Sequence, residues 1–220
     1  MFHANGQLFR NAFGTPEMRD VFNETEYVER FMQAEAALAR AQADLGVIPE
    51  DAAEEITETA SIEYLDVDEV ERKIAEIDLF TVAIIETWKE AIGDGGEYIH
   101  YGATSQDIAD TAMILLVRDG IELLGEELST IQTYLAELAE EHAETPMMGR
   151  THQVHALPIT FGLKAADWLD ELSRGIDRLE QTAERTLVIE SFGAVGSLAS
   201  VGDIGLEVQE NFAEELDLAV

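Results

Sequence analysis

From Asp107 to His142 the apolar residues keep a three-and-four step without a break: Ile121, Leu124, Leu128, Ile131, Leu135 and Leu138, with His142 in phase. That spacing describes one face of an α-helix roughly 40 Å long or longer, at about 1.5 Å per residue. The next segment repeats the pattern with Phe161, Ala165, Trp168, Leu172, Gly175 and Leu179. Two long amphipathic helices in succession must bury their stripes against each other and against further helices. The expected arrangement is an elongated antiparallel bundle with a coiled-coil-like seam.

Upstream, the positions Phe31, Ala34, Leu38, Ala41 and Leu45 make a helix of the stretch from Tyr27 to Leu45, stopped by Gly46 with Pro49 beyond. Residues 50–92 read as two or three shorter helices, the last around Ile77–Ile92, closed by Gly93, Gly95 and Gly96. All four prolines fall between helical stretches, and Pro158 suits the first turn of the helix that carries Phe161. No run alternates for long enough to build a sheet. The expected class is all-α, with a small helical N-terminal domain over residues 1–106 and the long antiparallel helices of a central bundle over 107–220. The small-residue stretch Ser191–Gly205 fits either a closely packed helix or a loop.

Charge narrows the partners. The chain holds 46 acidic against 13 basic residues, a formal net charge of −33, and only three lysines: Lys73, Lys89 and Lys164. Such a field repels nucleic-acid phosphates and anionic lipids, so neither is expected as a partner. A cation store or an acidic interaction tail would gather its acids in blocks. Here they are spread along the chain, as on a surface suited to the high-salt cytoplasm of an extreme halophile, where the Debye length shrinks to roughly 3 Å at molar salt. The absence of cysteine removes disulfides, thiolate metal sites and a thiol nucleophile. No apolar run reaches the length of a membrane span, and the opening MFHANGQLF lacks the layout of a signal peptide. A soluble cytoplasmic protein is the expectation.

Two segments could carry chemistry. In HYGATSQDIAD, His100 to Asp110, Thr104 stands three residues before Asp107 at the mouth of the longest helix, a capping-box spacing. First-turn N–H groups lack intrahelical partners and the helix dipole puts partial positive charge there. With the hydroxyls of Thr104 and Ser105 this makes a polar cup for a carboxylate. Spacing alone favours the plainer reading of an ordinary N-cap, with Ser105 and Gln106 facing water. In GRTHQVHALPITFG, Gly149 to Gly162, the residues Arg150, Thr151, His152 and His155 crowd ahead of Pro158. His152, beside a hydroxyl and a guanidinium, suits acid/base work because an imidazole titrates near operating pH. The plainer readings are a helix-capping His152 and a core or interface His155. No carboxylate joins the two histidines at a zinc-like interval, so no metal is expected. No nucleotide-binding glycine pattern or hydrolase elbow occurs, and no cofactor is expected.

These segments, HYGATSQDIADTA and MMGRTHQVHALPITFGLKAADW, resemble the first and second conserved regions of the fumarase/aspartase superfamily. The likeness extends from FGTPEMRDVF and EAALARAQADLGVIP to FGAVGSLASVGDIG, and lies with the branch of adenylosuccinate lyase and 3-carboxy-cis,cis-muconate cycloisomerase. The resemblance implies a homotetramer whose active sites are each assembled from three subunits. It also implies a substrate carboxylate held by Thr104 and Ser105, with Gln106, Arg150 and His100 as further substrate-binding residues. Thr151, Ser105 and His152 would be catalytic, His152 donating or shuttling a proton at the departing or closing heteroatom. A third region of the family, a mobile loop with a Ser general base followed by a Lys, has no counterpart before Val220. The expectation is a chain inactive without a complementary C-terminal half.

Within the branch, adenylosuccinate lyases carry a histidine in a Thr-Arg-His-Asp-like motif, and the matching stretch Ala75–Phe80 has none. That departure, with the Ser-Gln-Asp, ALPITFG and FGAVGSLASVG segments, leans toward a cycloisomerase acting on a polycarboxylate. Adenylosuccinate lyase, cleaving C–N with release of fumarate, is the alternative. A non-catalytic helical assembly fragment is the reading from a different class.

Overall fold

Helix formation follows local chemistry along residues 14–220, the part described by the computed structural model. The segment MFHANGQLF and the phenylalanine that opens FGTPEMRDVF lie outside the described residues. Helix α1 (Pro16–Val21) starts where the Thr15 hydroxyl accepts from the Met18 N–H. Helix α2 (Glu24–Asp44) starts at Asn23, whose side chain accepts from the Glu26 N–H, and ends ahead of Gly46, a left-handed residue at φ +70°. Its buried face packs against α3 (Glu50–Glu58) and against α8 (Gly205–Leu216), while α4 (Val67–Ile77) packs on α5 (Phe80–Ala91). A 3-10 turn over Asp94–Tyr98 leads to α6 (Ser105–Glu141), the long helix that the periodicity requires.

Two compact units result among the described residues, one formed by 14–119 with 187–220 and the other by 120–186. The expected division at 106/107 falls two residues inside α6, whereas these units part further along α6 and after α7, because the last segment folds back onto the first. In the first unit Phe31, Met32, Ile56, Trp88, Ile108, Leu115 and Phe212 are fully buried. Burying a side chain of this size contributes about 1.5–3 kcal/mol. The Trp88 indole N–H is satisfied by the Thr59 hydroxyl at 3.0 Å.

In the second unit α6 and α7 (Phe161–Thr186) run antiparallel. Gln132 bonds Ser173 at 3.0 Å, and Gly162, nearer the start of α7, lies against Ala139 and Ala143 near the end of α6. A Cβ on Gly162 would sit 2.6 Å from the Ala139 carbonyl oxygen, so the close approach requires glycine. Only Gly162 and Ala165 of α7 are buried, and Leu124, Ile131, Tyr134, Leu163 and Trp168 stay exposed.

The all-α class holds, with one local correction. Between α6 and α7 stands an antiparallel hairpin of β1 (Pro146–Thr151) and β2 (Val154–Thr160). Val154 through Pro158 are all exposed, so neither face of β2 is buried and nothing imposes the alternation that would have marked it. Pro158 therefore belongs to β2, opposite Met148, and not to the first turn of a helix. Proline is tolerated because β2 has a single neighbour and is an edge strand. Helix α7 begins at Phe161, where the Thr160 hydroxyl accepts from the Leu163 N–H. The Ser191–Gly205 stretch is a loop of turns with a 3-10 segment at Gly202–Ile204.

Candidate active site

At the mouth of α6 the capping box is only half closed. Asp107 lies 3% exposed, and its Oδ2 accepts from the Thr104 N–H at 3.0 Å. The Asp107 N–H bonds the Thr104 carbonyl instead of the Thr104 hydroxyl. The same carboxylate also accepts from the Phe192 N–H at 3.1 Å and the Gly193 N–H at 2.9 Å. One turn further along, the Thr111 hydroxyl both donates to the Glu190 carbonyl and accepts from the Glu190 N–H. The loop after α7 is thus stitched to the first two turns of α6. The Thr104 and Ser105 hydroxyls make no hydrogen bond among the described residues, and both side chains are half-buried. Gln106 is exposed and turns its amide to Asp110 at 2.7 Å.

Acid groups crowd the far side of this turn. Burial pushes the Glu190 carboxyl above the usual range, helped by a hydrogen bond with Asp110 and by the charges of Asp110 and Asp107. Tyr27 donates its hydroxyl to the Ala109 carbonyl at 3.2 Å, and burial, with Asp110 adding to it, pushes its pKa up to about 12.

His100 precedes the mouth by one turn of chain, through Gly102 at φ +73°, where a Cβ would lie 2.8 Å from Val201 Cγ2. His100 is itself left-handed at φ +66°, uncommon for a residue with a Cβ. Glu35 of α2 holds it twice: the His100 N–H donates to Oε2 at 3.0 Å, and the ring Nδ1 lies 2.6 Å from Oε1. Seven residues on, Gln42 donates its side-chain amide to the Tyr101 carbonyl at 2.7 Å. Sequence reading missed both groups. Their signal was phase: Glu35 and Gln42 fall four residues after Phe31 and Leu38, within the apolar stripe, and both are about 1% exposed.

The second cluster lies in the other compact unit, on the hairpin. Thr151 pairs with Val154, leaving a two-residue turn of His152 and Gln153 at φ +47° and +65°. Positive φ at both central positions makes this the hairpin turn that normally uses Asn-Gly. Two side-chain-bearing residues there are strained, at about 1–2 kcal/mol each. His152 therefore caps no helix; it stands exposed at a hairpin tip, beside exposed Thr151 and Arg150. His155 is not a core residue. It is exposed opposite Arg150, its Nε2 3.5 Å from the guanidinium.

Ser105 and Gln106 wall a cavity of about 280 Å³ that is otherwise lined by Tyr27, Leu79, Phe80, Thr81, Ala109, Asp110 and Met113. A larger cavity of about 520 Å³ between α2, α3 and α8 is walled by Asp44, Glu50, Glu54, Glu58 and Glu215 with Arg40. Its charge repels an anionic substrate, whereas the smaller cavity carries a single charged residue, Asp110. Among the described residues no group of three His, Asp or Glu is placed to hold a metal, and no helix is long and apolar enough to cross a membrane.

A family model described as "Lyase" matches residues 10–220. The chain belongs to this lyase family, within the fumarase/aspartase superfamily. It is 44% identical over 207 residues to adenylosuccinate lyase of Methanocaldococcus jannaschii, covering 94% of this chain and 45% of that protein. It is 41% identical to N-acetyl-S-(2-succino)cysteine lyase of Dickeya dadantii, covering 96% and 46%. Among solved structures, fumarate lyase from Mesorhizobium sp. BNC1 superposes with TM-score 0.90 at 44% identity, covering 94% of this chain and 49% of that one. The 3-carboxy-cis,cis-muconate lactonizing enzyme of Pseudomonas putida superposes with TM-score 0.92 at 35% identity, covering 98% and 50%. This lyase-family chain spans about half the length of the relatives it matches.

Proposed function

We propose that this lyase-family chain supplies the carboxylate-gripping and proton-transferring parts of an enzyme that eliminates a heteroatom from a succinyl adduct. The observation that carries the reading is the division of labour at the mouth of α6. Asp107 ties the Thr104 N–H to the 192–193 loop, and beside it the Thr104 and Ser105 hydroxyls make no hydrogen bond among the described residues and stand at the helix N-terminus where an anion would bind. The relatives at 44% and 41% identity are named as lyases of adenylosuccinate and of an S-(2-succino)cysteine.

The chemistry explains the residue types. A base removes a proton from the carbon beside one carboxylate, and charge builds on that carboxylate. The electron pair forms the C=C bond, the carbon–heteroatom bond breaks, and the departing atom takes a proton, giving fumarate. Donors fixed at the α6 mouth bind the charge-rich intermediate more tightly than the substrate. Loss of one such donor costs on the order of 3 kcal/mol of transition-state stabilisation. His152, with Thr151 beside it, delivers the proton, while Arg150, Gln106 and His100 orient the substrate. The family's third region supplies the general base, so the activity belongs to the assembly of this chain with that region. Assembly also covers Leu124, Ile131 and Trp168, in a homotetramer or with a complementary half. The second reading, cycloisomerisation of a carboxymuconate, is favoured by the TM-score of 0.92 and by the missing histidine in Ala75–Phe80.

The test is to assay the assembled enzyme on adenylosuccinate, a succinylated cysteine and 3-carboxy-cis,cis-muconate, following fumarate or lactone. Fumarate release supports the elimination reading, lactone formation transfers the assignment to cycloisomerase, and no turnover of any of them removes both.

A further inference from the structure

We infer that Glu35 is a positioning residue for this site: it fixes the ring of His100 through Nδ1 and so presents Nε2 as the exchanging nitrogen, an N–H donor to a substrate carboxylate. The inference rests on the elimination reading only for what Nε2 meets; the pairing of the two side chains stands on geometry alone.

Glu35 sits on the buried face of α2 with its side chain wholly inaccessible, a position where an unpaired carboxylate is strongly disfavoured. It has two partners, both from His100: the backbone N–H and Nδ1. A contact of 2.6 Å requires a proton between Nδ1 and Oε1, and with Glu35 as the carboxylate that proton is on the imidazole side. The tautomer is thereby chosen. Nδ1 carries hydrogen whether the ring is neutral or charged, and Nε2 alone gains or loses a proton. Nε2 makes no hydrogen bond among the described residues, and the side chain is 18% exposed. The left-handed φ of +66° is held by the same carboxylate through the backbone N–H, so ring and turn are fixed together.

Charges from three helices act on the ring. Burial opposes its charge, but the hydrogen bond to Glu35 and the Glu35 charge outweigh it and raise the pKa above the ordinary value. Lys89 of α5 works against the cation, and Asp107 at the mouth of α6 works for it. In a chain with a net charge of −33, an imidazolium beside the Thr104–Ser105 turn supplies the local positive charge that a polycarboxylate needs.

The test is a pH titration of the chain carrying ¹⁵N-labelled histidine, in high salt, with two-bond ¹⁵N–¹H correlations that report the tautomer. The wild-type protein should show His100 protonated on Nδ1 throughout, with Nε2 titrating, which needs no variant to fold. In Glu35→Gln the imidazolium-to-imidazole ratio at fixed pH should fall roughly tenfold, as expected on removing an adjacent opposite charge. Glu35→Asp should recover part of that fall. Succinate added to the wild type should move the His100 Nε2 signal. A neutral ring protonated on Nε2, an unchanged ratio in Glu35→Gln, or a succinate-insensitive Nε2 overturns the inference. Failure of the elimination reading would show separately, as absence of fumarate release with the Nδ1 tautomer intact.

Discussion

Replacing Asp107 by alanine removes the acceptor for three backbone N–H groups at once, those of Thr104, Phe192 and Gly193. The carboxylate is 3% exposed, so water does not simply take its place. Each orphaned buried donor costs about 1–3 kcal/mol, and partial hydration of the space left by the side chain holds the sum toward the low end. The expected loss is about 3–4 kcal/mol, a large share of the roughly 5–15 kcal/mol that holds a domain folded. Asp107→Asn keeps one carbonyl oxygen and should lose about half as much. Urea unfolding followed by Trp88 fluorescence, with Trp168 replaced by phenylalanine, reads the effect in the right unit, because Trp88 is fully buried there. A loss below about 1 kcal/mol for Asp107→Ala would refute the idea that this one side chain organises the helix mouth and the 189–193 loop.

Further outcomes follow from other parts of the fold. Gly162→Ala drives a Cβ to within 2.6 Å of the Ala139 carbonyl and should destabilise by about 2–3 kcal/mol, whereas Gly125→Ala, with open space around it in α6, should be neutral or stabilising by up to about 1 kcal/mol in the same urea titration. His100 has a raised folded-state pKa, so the stability it contributes is fully present below about pH 6.5 and fades as pH rises through the folded value; the urea midpoint should fall over that window, and less so in Glu35→Gln. With a net charge of −33, added KCl should strengthen both folding and assembly by screening, measured by thermal unfolding and light scattering from low to molar salt, and weakening by salt would contradict that.

The helices were legible because their cores impose a period. α2, α6 and α7 follow the stripes Phe31–Leu45, Ile121–Leu138 and Phe161–Leu179; the first is largely buried, while Leu124, Ile131 and Trp168 of the other two stay exposed. The hairpin was not legible. Val154 to Pro158 bury nothing, and the turn at His152–Gln153 uses residues that ordinarily avoid positive φ. The α6 mouth was visible as a capping spacing, but the choice of cap was not. Phe192 and Gly193 recruit the Asp107 carboxylate from 85 and 86 residues away, and the Asp107 N–H takes the Thr104 carbonyl instead of its hydroxyl, neither of which spacing reveals. Glu35 was hidden for a similar reason: a carboxylate within an apolar stripe shows its purpose only once His100 is folded against it.

Mixing Ser105→Ala chains with His152→Ala chains in the assembled enzyme tests most directly whether the α6 mouth and the hairpin tip serve one substrate. Each variant alone should be nearly inactive, and hybrid assemblies should recover a measurable fraction of fumarate release, because some sites would then draw an intact Ser105 and an intact His152 from different copies. Hybrids as inactive as either parent, with assembly verified, would mean that the two clusters do not share a site.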